Sequence, residues 1–323
     1  MRTFLLLLPL FCCAPAAIGQ DLRRGLVDAD AVVVGRQVAK AAHGDDVVLH
    51  TVQVLRDVRG AAGRRTVTVL DWPKLSLHNR PTPRQSRLYC LQDASVVATR
   101  LGLAADQGPY FRMVGWAGSN PLVGADLDKD PLVGFAALLA RSEAGATPSD
   151  TAAELCEMAL RGDAAVRTEA TRFLTERQDL CRHLQAVQWS QLVARASGEV
   201  DDIDHKIALA ELCAEQRLDG LLDSLMVSLG PVTDPEYARV VGRIARMLHG
   251  EDATARLQGR LRMLREPKDR AVVLLAIGAT NTDSALEALL RLDSGTEKDA
   301  AVEAALREHR SPRAREAVAR RKK

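Results

Sequence analysis

Between residues 150 and 320 one apolar spacing keeps returning, and no other feature restricts the fold of this chain as strongly. Ala152, Leu155, Cys156, Ala159 and Leu160 fall at i, i+3, i+4, i+7 and i+8, which is one face of a helix. The same template returns in Leu218, Leu221, Leu222, Leu225, Met226 and Leu229. It returns again in Tyr237, Val240, Val241, Ile244, Ala245 and Leu248. A stripe this wide needs cover on two sides, and short helices in series supply that cover to one another. The expected result is a stack in which each helix pair shields the next. A plain irregular α-bundle is the alternative.

The spacing predicts five helix pairs: 163–176 with 179–196, 204–216 with 218–229, 236–249 with 252–264, 268–278 with 283–293, and 298–309 with 312–320. First helices start near Asp163, Asp204, Glu236, Asp269 and Asp299. Acids there complement the positive end of the helix dipole. Pro235, Pro267 and Pro312 mark starts, and Gly250, Gly278 and Gly295 mark ends. A small-residue linker, 144–149, precedes the array, with Ser149 or Asp150 as the first cap.

These residues resemble HEAT-like repeats. Asp163-Ala164-Ala165-Val166-Arg167-Thr168-Glu169-Ala170 with Leu174 is similar to the family's "DxxVRxxAxxxL" helix. Ala276-Ile277-Gly278 and 285–290 are similar to its "ALG…ALxxLxxLL" segment. Residues 299–306 repeat the first helix, with Glu303 in place of the Arg. The resemblance covers about half the chain and implies an α-solenoid.

Upstream the period changes from 3.6 to 2. Val32-Val33-Val34-Gly35, the alternating run 47–58, Thr66 to Leu70, Leu88-Tyr89-Cys90-Leu91, and Tyr110 to Trp116 read as strands, with turns at Gly44-Asp45 and 60–63. Five or more short strands in this span imply a small barrel or sandwich. The strands "ADxVVVG" (Ala29 to Gly35), 52–60, "TVTV" (66–69) and 88–91 are similar to exported netrin-like, OB-type barrels. Netrin-like inhibitors act through an N-terminal cysteine, which a chain beginning Gln20-Asp21-Leu22 lacks. Asp130 before Pro131 predicts an N-cap for a helix over 132–141.

Residues 1–19 read as a signal peptide: Arg2, an apolar run 4–13, and Ala17 and Gly19 at the −3 and −1 positions. The apolar run is too short to cross about 30 Å of hydrocarbon, and the Phe11-Cys12 pair makes a poor lipoprotein box. The domain reading is therefore 1–19 signal peptide, 20–145 β-barrel-like domain and 146–323 HEAT-like domain with a basic tail. The fold class is α+β multidomain: a small OB/netrin-like barrel, then an α-solenoid of about five HEAT-like pairs. Export leaves Cys90, Cys156, Cys181 and Cys213 in a disulfide-permissive compartment. The last three sit at apolar helix positions and read as buried hydrophobes, with Cys156–Cys181 or Cys181–Cys213 bridges as the alternative.

Charge is unevenly distributed. Residues 147–309 carry 20 Lys and Arg against 28 Asp and Glu, a net −8, whereas residues 310–323 carry 7 against 1, a net +6. That tail offers contact to an anionic surface, or is a frayed solvated end. Aromatics make up only 3% of the chain, which disfavours stacking-based sugar or single-strand nucleic-acid binding. Nucleic acid is not expected as a partner.

Catalytic motifs are missing: there is no His-Glu-x-x-His, P-loop or Gly-x-Ser-x-Gly. Gly115 to Ser119 lacks the elbow spacing. Asp126, Asp128 and Asp130 alternate as Ca²⁺ ligands would, but Pro131 and Ala137 break the loop pattern, leaving a solvated turn. Asp201, Asp202, Asp204 and His205 form the densest ligand set, and their place at a helix start reads as capping. Cys181 and His183 point to different faces. His43, His50, His78, His249 and His309 have no carboxylate or Cys at ligand spacing. No catalytic, metal or cofactor-binding residue is assigned. The expectation is an exported, non-enzymatic scaffold that holds a protein or peptide through its helical surface. The alternative is an enzyme accessory subunit or protease-inhibitor-like module acting through the β-domain.

Overall fold

The computed structural model describes residues 17–74, 81, 83–105, 108–114, 120–199, 202–230, 233–293 and 299–321, with side chains from Leu22 onward. The protein is α+β. Contacts divide it into two compact units, Met1–Thr147 and Pro148–Lys323. Among the described residues no helix is long and apolar enough to cross a membrane. The proposed signal peptide falls almost wholly outside the described residues.

The first unit is built on five strands: β1 (Ala31–His43), β2 (Val47–Arg59), β3 (Thr66–Asp71), β4 (Ser86–Asp93) and β5 (Tyr110–Met113). They close into a barrel in the order β1-β2-β3-β5-β4, with β4 returning to β1. Every pairing is antiparallel except β3 with β5. Alternation of side chains sets the inside. Ala31, Val33, Val52, Val67, Val69, Tyr89, Leu91 and Phe111 form one buried cluster. Burying each such Val or Leu is worth roughly 1.5–3 kcal/mol.

Three helices accompany the barrel: α1 (Ala17–Asp28), α2 (Ser95–Arg100) and α3 (Pro131–Glu143). The first two were not read from the sequence. α2 covers an outer cluster of Leu70, Ala94, Ala98 and Tyr110. Asp130 caps α3 as expected, accepting from the Leu132 and Val133 amides at 3.0 and 3.1 Å. Arg59 at the end of β2 donates to the Ala29 carbonyl at 2.7 Å and pairs with Glu143, fastening both flanking helices.

The second unit is all helix: α4 (Pro148–Arg161), α5 (Ala164–Glu176), α6 (Gln178–Cys181), α7 (Ala186–Ser197), α8 (Ile203–Glu215), α9 (Leu221–Val227), α10 (Pro235–His249), α11 (Ala253–Met263), α12 (Pro267–Thr280), α13 (Asp283–Asp293), α14 (Ala300–Glu308) and α15 (Pro312–Arg321). The three apolar stripes are buried, apart from partial exposure of Leu160, Leu218, Met226 and Leu248. Asp163, Asp202, Asp234 and Asp299 cap their helices through side-chain oxygens. Contacts run α5 to α8, α8 to α10, α10 to α12 and α12 to α14, with α9, α11, α13 and α15 each packed on its own first helix.

Two expectations are corrected. The helix drawn over 179–196 is two, because Gln185 adopts an extended conformation and starts α7 with a capping box closed by Gln188. α6 packs on α4 and α5, while α7 packs on α8 and α9. Gly278 does not end its helix; α12 runs on to a left-handed Asn281. A Cβ at Gly278 would run into the Ala305 carbonyl of α14, and one at Gly242 into the Ala276 carbonyl of α12. Both glycines let neighbouring helices approach closely. Gly295, expected at a helix end, lies outside the described residues.

The turns are also joined. The Thr254 and Thr282 hydroxyls lie 2.7 Å apart, Asn281 accepts from the Arg310 amide at 2.7 Å, and the Ser284 hydroxyl donates to the Glu251 carbonyl at 3.1 Å. Tyr237, fully buried on α10, donates to the Ala196 carbonyl of α7 at 2.8 Å, with the Lys206 ammonium 4.3 Å over its ring.

Candidate functional site

A groove between α7 and α9 has the form of a binding site. It encloses about 570 Å³ and is walled by Ala186, Trp189, Val193 and Ala194 on one side and Leu218 and Ser224 on the other. Clefts of roughly 300–1,000 Å³ are the usual size for ligand sites. Trp189 is half-buried, with its neighbour Val187 58% exposed. Asp219, exposed at the groove's edge, makes no ion pair among the described residues. It also borders a second hollow lined by Arg217, Gly220, Asp223, Leu248, His249 and Arg256. Gly220 shapes this edge: its left-handed backbone (φ 71°) turns the chain just before α9.

The groove follows from local sequence. Leu192 and Ala196 point α7 inward, which leaves Trp189 and Val193 on the flank. The break at 182–185 sets where that flank begins. The sequence reading assigned no contact residues, and the apolar pair Trp189 and Val193, one turn apart and off the buried stripe, was the available signal.

The barrel holds a buried pair that the sequence reading did not find. The sequence offers His50 no carboxylate at ligand spacing, yet its Nε2 lies 3.4 Å from Oδ2 of Asp71, with both residues buried. Val48 faces Asp71 and His50 faces Val69, so the pair is a diagonal neighbour on the inward face. Only the β2–β3 register brings them together. Gln37 points inward on the same face, paired with Val52, two residues along β2 from His50.

The other ligand candidates are accounted for locally. Asp128 pairs with Arg56 at 2.8 Å, Asp126 with Lys129 at 3.2 Å, and Asp130 is a cap. Asp202 caps α8 through the Asp204 and His205 amides at 3.0 and 3.3 Å. Asp201, His78 and the segment Gly115 to Ser119 lie outside the described residues. Cys181 is buried and His183 exposed. His43 Nε2 meets the Leu101 carbonyl at 2.8 Å. His309 accepts from the Ser311 amide at Nδ1, so Nε2 carries the proton and donates to the Thr282 carbonyl at 3.0 Å.

Cys90, Cys156, Cys181 and Cys213 are free and buried, so neither considered bridge is formed. Burial pushes Cys156 and Cys181 up to about 11 and Cys213 up to about 12, with the Cys156 and Cys181 thiols adding to the last. Such thiols are poor nucleophiles. As far as Arg321 the basic tail is helical: α15 buries Ala314 and Ala317, and Arg321 pairs with Asp293. Lys322 and Lys323 lie outside the described residues.

Compared with known proteins, the chain matches no family model, no curated protein and no solved structure.

Proposed function

We propose that this chain is an exported, non-enzymatic scaffold whose helical unit is an α-solenoid of five HEAT-like pairs and holds an extended peptide of its partner in the α7–α9 groove. The observation that carries the reading is the groove itself, an apolar trough beside an acid, Asp219, that makes no ion pair among the described residues. Its chemistry selects an apolar side chain followed by Lys or Arg, because Asp219 lies at the edge and residues 147–309 carry a net −8. The run of contacts from α5 through α14 supports the solenoid. The barrel order, with its parallel β3–β5 pair, supports an OB-type reading of the first unit. Export rests on the pattern of residues 1–19, and the α15 helix offers a basic face to an anionic surface.

The test is an immobilised peptide array that varies one apolar residue and its flanking charge. The wild-type chain is expected to retain apolar–basic peptides. Trp189→Ala should abolish retention, and Asp219→Lys should move it to apolar–acidic peptides. Equal retention by all three proteins would overturn the reading.

A further inference from the structure

At the junction of α4, α5, α7 and α8 several buried side-chain nitrogens have no hydrogen-bond partner among the described residues. His205, on the first turn of α8, has no exposure, and among the described residues neither ring nitrogen has a hydrogen-bond partner. The acceptor facing it from α4, the Ala159 carbonyl, makes no hydrogen bond of normal geometry with the ring. Arg167 on α5 and Arg195 on α7 bring their charges to bear on the same ring, and both helices pack on α8. The Nε of each arginine is buried without an acceptor. Among the described residues neither guanidinium makes an ion pair.

Among the described residues Asp202 is the one carboxylate that bears on this ring, and its oxygens are engaged. Oδ1 accepts from the Asp204 and His205 amides, and Oδ2 accepts from the Thr168 hydroxyl at 3.5 Å. Among the described residues two cations thus meet one committed acid, inside a region that is acidic overall. Leaving a buried donor without an acceptor costs about 1–3 kcal/mol, more when it is charged. A guanidinium presents its donors in a planar fork that matches the oxygens of phosphate or carboxylate. Arg167, Thr168, Arg195 and Asp202 are all partly exposed around the sealed ring.

We propose that this junction binds a small oxyanion, phosphate or a carboxylate, between Arg167, Arg195 and His205. The site is separate from the α7–α9 groove, because Arg195 lies off the flank that Trp189 and Val193 present. Neither proposal depends on the other.

The test is thermal unfolding of the full chain at pH 7 and fixed ionic strength, with phosphate, acetate or chloride exchanged for one another. Site binding raises the midpoint saturably, by about 5–10 °C at a hundredfold excess over Kd for a unit of this size. Phosphate acting alone identifies a tetrahedral oxyanion, and acetate acting equally identifies a carboxylate. Calorimetric titration of phosphate and acetate into Arg195→Gln and Arg167→Gln, each checked for native helicity, should show binding at least tenfold weaker. Arg195→Lys keeps the charge without the fork, should fold where Gln does not, and should bind at an intermediate level. Equal stabilisation by chloride, or undiminished affinity in the variants, would overturn the proposal.

Discussion

The barrel and the helical array solve the same burial problem by opposite routes. In the barrel every strand has two hydrogen-bonded neighbours and the last returns to the first, so no edge is left open. Its inner face is one cluster fed by all five strands. In the helical unit each helix meets helices one to three along the chain, and if the unit is a solenoid its stability is close to a sum of neighbour terms. A closed structure is expected to fail as a whole, and a stacked one link by link.

Paired core substitutions give the largest effect that can break this contrast. Leu222→Asp places a charge at a position 2% exposed on α9 and should cost about 4–5 kcal/mol. Hydrogen exchange should accelerate first in α8 to α11 and spare the strands. Tyr89→Ala, at a fully buried barrel site, should cost about 3–5 kcal/mol and release all five strands together. Uniform loss of protection across the array in Leu222→Asp would show that its helices do not respond as neighbours.

Acid provides the next test, and it acts on the array. Burial, then the charge of Arg167, pulls His205 down to about 4 from an ordinary 6.5. The unfolded chain therefore takes up the proton first. The stabilisation is complete above about pH 6.5 and fades as the pH falls towards 4, by up to about 3 kcal/mol. In oxyanion-free buffer, His205→Gln should flatten that slope in helical unfolding monitored by circular dichroism. An unchanged slope would place the acid sensitivity elsewhere.

The smallest effect sharpens the picture of how neighbouring pairs are tied. Tyr237→Phe keeps the ring beneath Lys206 but leaves the Ala196 carbonyl without its donor. A loss of about 1–2 kcal/mol is expected in chemical denaturation. No loss would mean that packing alone joins α10 to α7.

Much of the local structure was legible. Strand and helix periods, the Asp130 and Asp163 caps and the buried stripes follow from neighbours in sequence, because apolar spacing and capping act within a few residues. Punctuation misled where distant packing overrode it. Gly278 reads as a stop, yet it continues α12 because Ala305 needs the room. Residues 179–196 read as one helix, yet the chain turns a corner there because α6 and α7 pack on different neighbours.

The sequence by itself determined which segments are strands and which are helices, and which face of each is apolar, since these depend on periods of two and 3.6 residues. Tertiary structure alone decided that β3 lies beside β5, that His50 meets Asp71, and that the charges of Arg167 and Arg195 bear on His205. Those relations depend on register between segments far apart in the chain. A shift of one residue would exchange every partner without altering the local pattern.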